Sequence, residues 1–475
     1  MNEGAQPHAL LIPVPVQGHI NSMMQLAWKL TSHGFLITFL NTHDTLHRIL
    51  EANRKTSLPK NWDLIRMISV PMEAQPEDGR DDATKFSESL EKELGPPVIL
   101  SLIQKINNEE ERKITCIIAD FWMCSGLQAV ANFHVISLAV LHTQLLSVCA
   151  ISYFSPSLIS RGILPNNGIV EEDKMVKCLS SVPPMRSGEL PWMHRGEYLF
   201  LKGNRIAQEL KEIKWVLFNS FHDLEAPAVE ELSKEVGVYT IGPLIPPEFL
   251  HGDSSDTTKI LPSLWTDELE CLKWLDKQVA QSVIYLSFGS FTVLEEKQVE
   301  EVALGLEVIK RPFLWVLRSD GVKGDRAILI SRLLESTGDQ GCIVGWAPQL
   351  QVLCHPSLAC FVTHCGWNSV QESMSMGVPM LCWPYFSDQF LNRNYVVDVW
   401  KVGLLLNPNK DGHIEKEECR KAVEELLVSE KGMEIREKVN KWKTIARNAE
   451  KEGGSSSKSF NLFVNAIKQI PVTKI

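Results

Sequence analysis

The sequence predicts an α/β protein built on two doubly wound parallel sheets, and three observations carry that prediction. With 475 residues the chain exceeds the roughly 250 to 300 at which a single core stops growing. Short apolar runs alternate with helix-period patterns through both halves, the signature of parallel strands joined by crossover helices. A stretch without periodicity, "IGPLIPPEFLHGDSSDTTKILPSL" from Ile241 to Leu264, divides the halves and is dense in Pro, Gly, Ser, Asp and Thr. The expected domains are 1–245 and 265–454, with a linker at 246–264 and a C-terminal helix at 455–475.

Each element follows from local pattern. In the first half "HALLIPVP", "FLITFLN" and "ITCIIAD" read as buried strands. "INSMMQLAWKLTSHG" reads as a helix with Ile20, Met23, Met24, Ala27 and Leu30 on one face and Gly34 as its stop. In the second half the strands are "SVIYLSFGS", "PFLWVLR", "CIVGWAP", "CFVTHCG" and "VPMLCWP", with a helix from about Leu294 to Ile309. Loop chemistry stands at their C-terminal ends, where open α/β sheets bind ligands, so two such sheets are expected to face an interdomain cleft. After Gly453 and Gly454 the tail "SSSKSFNLFVNAIKQI" places Phe460, Phe463, Val464 and Ile467 on one helical face and is expected to dock on the first domain.

Composition excludes several classes. A net charge of −10 disfavours nucleic acid, which needs a basic stripe to neutralise phosphates. The N-terminal run "ALLIPVPVQGH" follows no basic leader and is broken by Pro13 and Pro15, and no later segment offers 18 uninterrupted apolar residues, so no membrane span is expected. The 11 cysteines are odd in number with no C-x-x-C pair, and no N-x-[ST] sequon occurs, which reads as reduced thiols in the cytosol. Neither a G-x-x-x-x-G-K-[ST] nor a G-x-G-x-x-G is present, against P-loop and dinucleotide sites, and no D-x-D offers to hold a metal on a diphosphate. Cys354, His355, Cys360, His364 and Cys365 have spacings that fit no common zinc module, so no metal is expected.

One corner concentrates polar and aromatic residues: "FVTHCGWNSVQESMSMGVP", Phe361 to Pro379. A helix beginning near Asn368 offers unpaired backbone N–H groups and the positive end of its dipole, an anion site to which His364, Asn368 and Ser369 add donors. "SVQE", Ser369 to Glu372, also fits a capping box, which accounts for Ser and Glu with no ligand. Taken alone, the corner supports both readings equally.

Its surroundings break the tie. The 44-residue block from Trp346 to Gln389, "WAPQLQVLCHPSLACFVTHCGWNSVQESMSMGVPMLCWPYFSDQ", resembles the plant secondary product glycosyltransferase box of plant-type UDP-dependent glycosyltransferases, glycosyltransferase family 1. The resemblance extends to "PVQGH", Asp120, "SFGS" and the tail helix, and implies a GT-B fold of two Rossmann-like domains. It implies UDP binding by Ser290, Trp346, Ala347, Gln349, His364, Gly366, Asn368, Ser369 and Glu372, with Trp346 on uracil, Glu372 on the ribose hydroxyls and the corner at the diphosphate. It implies sugar contacts from Thr143, Trp367, Asp388 and Gln389.

The same resemblance pairs His19 with Asp120 as catalytic residues. A helix start favours the neutral imidazole that a general base needs, and a strand-end carboxylate orients the ring and stabilises the imidazolium. Gly18, Phe121, Trp122 and Phe386 adjoin these positions and are expected to wall the acceptor pocket. One departure from the family is Ser22, where members carry Pro in what reads as the first helical turn. The expected activity is inverting, metal-independent transfer of glucose from UDP-glucose to a hydroxyl of a small lipophilic acceptor by a cytoplasmic monomer, with no cofactor. Other UDP-sugars, glucose esters, N- or C-glucosides, and a non-catalytic nucleotide-sugar-binding protein are the alternatives.

Overall fold

The computed structural model describes residues 6–54, 61–75, 80, 82–251 and 263–469. They form two compact units. The first runs to Pro246, includes Ser263 and Leu264, and takes in the chain again from Asn448; the second holds Pro247–His251 and Trp265–Arg447. Residues 252–262 of the expected linker lie outside the described residues. Its start is not irregular: Pro247–His251 is a helical turn that buries Phe249 and Leu250.

Seven strands make the sheet of the first unit: β1 (His8–Ile12), β2 (Leu36–Thr42), β3 (Ile65–Val70), β4 (Cys116–Asp120), β5 (Ser137–His142), β6 (Trp215–Phe218) and β7 (Val238–Thr240). Their order is β3-β2-β1-β4-β5-β6-β7, all parallel. The second sheet has β8 (Val283–Ser287), β9 (Phe313–Val316), β10 (Gly341–Val344), β11 (Leu358–Thr363), β12 (Met380–Cys382) and β13 (Gly403–Leu405). Its order is β10-β9-β8-β11-β12-β13, again all parallel. Both sheets thus start at an inner strand, run to one edge and cross back, the doubly wound arrangement.

Most central strands are buried along their whole length, which is why they read as unbroken apolar runs rather than alternating ones. Leu10, Ile12, Ile117, Val140 and Phe218 anchor one core; Ile284, Leu286, Phe313, Trp315 and Val362 anchor the other. Each such side chain contributes about 1.5 to 3 kcal/mol on leaving water. The tail helix Ser455–Lys468 buries Phe460, Phe463, Val464 and Ile467, with Phe463 edge-on to Trp215 and the Ser456 hydroxyl donating to the Gly242 carbonyl. Both therefore belong to the first unit. Among the described residues no helix is long and apolar enough to cross a membrane.

The winding positions the chemistry. In each sheet the strand order reverses between two neighbours, β1 and β4 in the first unit, β8 and β11 in the second, and the crevice at such a reversal is where open α/β sheets take ligands. His19 follows β1 and Asp120 ends β4; Ser290 follows β8 and His364 follows β11.

Candidate active site

At the first reversal the chain leaves β1 through Val14-Pro15-Val16 and enters the helix Gln17–Thr31, so His19 is its third residue. Val16 is extended and its carbonyl accepts from the N–H groups of His19 and Ile20, which starts the helix without a side-chain cap. His19 Nδ1 lies 2.6 Å from Asp120 Oδ2, with the carboxylate fully buried and the imidazole about one-fifth exposed. The other oxygen of Asp120 accepts from the Trp122 N–H at 3.1 Å and caps the short turn Phe121–Met123. Thr143 Oγ1 stands 3.0 Å from the same Nδ1. A buried carboxylate at Nδ1 assigns the proton to that nitrogen and the lone pair to Nε2, the tautomer a general base requires. The neighbouring His142 is different: burial pushes it down to about 4, and it packs neutral between Phe121 and Phe218.

At the second reversal β11 ends at Thr363, Cys365 takes φ +65°, and Gly366 caps the helix Trp367–Met376. The helix opens with the bond from the Val370 N–H to the Gly366 carbonyl, which puts its positive dipole end at the end of β11. The His364 ring is wedged by two glycines: a Cβ at Gly289 would lie 2.6 Å, and one at Gly366 2.4 Å, from its Nε2. Burial pushes His364 down to about 4, so the ring is neutral and acts as a dipole rather than a cation. On the next face of the helix the Gln349 amide donates to Ser369 Oγ at 2.9 Å and to Glu372 Oε2 at 2.7 Å. Burial pushes Glu372 up to about 7, against the opposing bond from Gln349. Trp346 stacks on Trp265, ring centres 4.5 Å apart and planes 21° from parallel.

Comparison with known proteins now decides the family. The profile described as "UDP-glucoronosyl and UDP-glucosyl transferase" matches residues 261–436. The chain is 34% identical to UDP-glycosyltransferase 85A2 of Arabidopsis thaliana, covering 97% of each chain. It is 33% identical to the 7-deoxyloganetin glucosyltransferase of Catharanthus roseus, covering 98% of this chain and 97% of that one. The crystal structure of Os79 from O. sativa in complex with UDP superposes with a TM-score of 0.79 at 25% identity, over 97% of this chain and all of the other. The chain belongs to the UDP-glycosyltransferase family. Its fold is GT-B, two Rossmann-like domains, as the sequence predicts.

The structure gives the local partners of the side chains expected in the site of this glycosyltransferase, and two local readings change. The capping box does not form: Gly366 is the cap, Ser369 is the third helical residue, and its hydroxyl accepts from Gln349 instead. The left-handed turn at Cys365 brings the chain into the helix earlier than the apolar pattern indicates. Trp367 is 4% exposed, and its ring centre lies 6.3 Å from that of Trp400. Gln389 Oε1 accepts from the N–H groups of both Tyr385 and Phe386, which commits the amide oxygen to its own turn. Asp388 Oδ2 is held at 2.9 Å by Asn392. Phe121 is core, whereas Trp122 and Phe386 are only partly buried. Ala347 is buried next to Trp346. Ser22 is the sixth helical residue, past the first turn, and its hydroxyl donates to the Gly18 carbonyl at 3.2 Å.

Two supporting residues escaped the sequence reading. Arg318, buried beyond β9, donates to the carbonyls of Gly289 and Thr292 and to Asp320, and so fixes the loop that carries Ser290. Asn392 donates to the Cys365 carbonyl at 2.9 Å as well as to Asp388, tying the strained turn to the helix of Gln389. A charged residue closing the apolar run "PFLWVLR" was the one available signal.

Proposed function

We propose that this glycosyltransferase moves glucose from UDP-glucose to a hydroxyl of a small lipophilic acceptor, with inversion and without a metal. The observation that carries the reading is the 2.6 Å contact between His19 Nδ1 and the buried Asp120 carboxylate at a sheet reversal. His19 Nε2 takes the acceptor proton, Asp120 stabilises the imidazolium, and the acceptor oxygen attacks the anomeric carbon from the face opposite UDP. The bond to the diphosphate breaks as the new bond forms, so an α-linked donor becomes a β-glucoside. Thr143, at the same nitrogen, helps to hold the ring.

In this reading the second unit holds the leaving group. Negative charge developing on the diphosphate is met by the N–H groups of Trp367, Asn368 and Ser369, by Asn368 and Ser290 side chains, and by neutral His364, all held in place before the reaction. Ser369 is oriented for this: its oxygen accepts from Gln349, which directs its own proton elsewhere. Glu372 accepts from the ribose hydroxyls and Trp346 stacks on uracil, beside Ala347 and Gln349. The sequence has no D-x-D, and activity is expected to persist in excess EDTA without Mg²⁺. Glucose is supported by the glucosyltransferase name of the Catharanthus roseus relative, not by the Gln389 oxygen, which is already engaged. All 11 cysteines are unpaired thiols, in keeping with work in the cytosol.

The test is His19→Ala assayed with UDP-glucose and an unactivated alcohol. Transfer is expected to fall by about 10² to 10⁴-fold with UDP binding retained. Near-normal transfer by the folded variant would remove the proposed base.

A further inference from the structure

Trp265 lies at the start of the second unit, 81 positions before Trp346, yet the two half-buried indoles are stacked 4.5 Å apart. Two backbone contacts pin the same segment to the same loop: the Glu268 N–H donates to the Trp346 carbonyl at 3.1 Å, and the Gly345 N–H donates to Glu268 Oε1 at 2.6 Å. The Arg318 guanidinium stands 6.0 Å from the Trp265 ring centre, and this is the arginine that fixes the Ser290 loop. A cation, an indole and a second indole are therefore in contact in series, and a core alone has no need of such a series on a partly exposed loop.

We propose that Trp265 is a positioning residue for nucleotide binding, which holds the Trp346 ring at the plane on which the nucleobase stacks. The inference rests on the reading that Trp346 takes uracil. A loop indole with two rotatable side-chain bonds loses freedom when a base stacks on it, and ordering one such side chain in advance removes that cost from binding. The gain is the same in ground and transition states, so it acts on nucleotide affinity and leaves the chemical step untouched.

The experiment measures UDP binding by calorimetry and steady-state kinetics for the full-length wild type, Trp265→Ala, Trp265→Phe and Trp346→Ala. Trp265→Ala is expected to weaken UDP and raise the KM for UDP-glucose by about three- to tenfold with kcat unchanged, and Trp265→Phe to recover most of the loss. Inhibition by inorganic pyrophosphate, which has no base to stack, is expected to stay the same. Unchanged UDP affinity in Trp265→Ala while Trp346→Ala binds poorly would overturn the inference alone. Tighter binding in Trp265→Ala would overturn it too, by showing that the indole competes for the nucleobase's place. A kcat that falls together with affinity, without rescue by Phe, would reduce Trp265 to a folding role. UDP binding at wild-type strength by Trp346→Ala would remove the nucleobase reading and this inference with it.

Discussion

Two histidines stand at the strand-order reversals of two sheets with the same winding, His19 after β1 and His364 after β11, and their surroundings are opposite. His19 has a buried carboxylate 2.6 Å from Nδ1 and keeps about a fifth of its side chain exposed. Around His364, glycines at 289 and 366 close on the ring, and burial pushes it down to about 4. The first is paired with a carboxylate. The second is built to stay neutral. Position in a Rossmann-like sheet therefore offers a site, and the partner on the adjacent strand decides what the imidazole does there.

The largest effect is expected from removing that partner. Asp120→Asn should lower kcat toward an alcohol by about 10² to 10⁴-fold, because an amide holds the wrong tautomer and cannot stabilise the imidazolium. UDP affinity, measured by calorimetry, should not change. If it collapses in step, Asp120 matters as the cap of Phe121–Met123 rather than as a catalytic carboxylate.

The contrast is sharpened at His364 without altering its chemistry. Gly366→Ala places a methyl 2.4 Å from the present Nε2 while the φ of −60° suits any residue, so the ring must move. Overpacking of this kind costs about 1 to 3 kcal/mol, and UDP affinity should fall roughly tenfold to a hundredfold. Wild-type UDP binding by this variant would show that the placement of His364 is unimportant.

A third expectation concerns pH. Burial raises Glu372 to about 7, so in the free protein it is largely protonated below that pH and ionised above it. Ribose hydroxyls are accepted best by the carboxylate, so UDP binding should release protons near pH 7 and weaken by up to about tenfold per pH unit below it. Calorimetry in buffers of different ionisation enthalpy reads the proton count directly. Glu372→Gln should abolish the proton release, and a pH-independent affinity in the wild type would deny the carboxylate its role.

The smallest effect is expected in stability. Ser369 is not the helix cap, so Ser369→Ala should shift unfolding in urea by less than the roughly 1 kcal/mol typical of a lost cap. A full cap-sized loss would mean that its bond with Gln349 braces the fold.

The sequence by itself determined the fold class, both cores and the family, because those depend on local pattern: buried strands read as apolar runs, helices as a 3.6-residue period, and the block from Trp346 to Gln389 as an ordered motif. It also placed His19 and Asp120 at element ends, where reversals of strand order make crevices. What it left open were the contacts between distant positions and the atoms they occupy. Thr143 reaches His19 across 124 positions, and Gln349 links Ser369 to Glu372. A left-handed turn at Cys365 makes Gly366 the cap, and the Gln389 oxygen is taken by its own turn. Periodicity reports which face of an element is buried, whereas the partner of a polar atom is chosen by packing among elements that share no local pattern. Only the tertiary structure decided those partners.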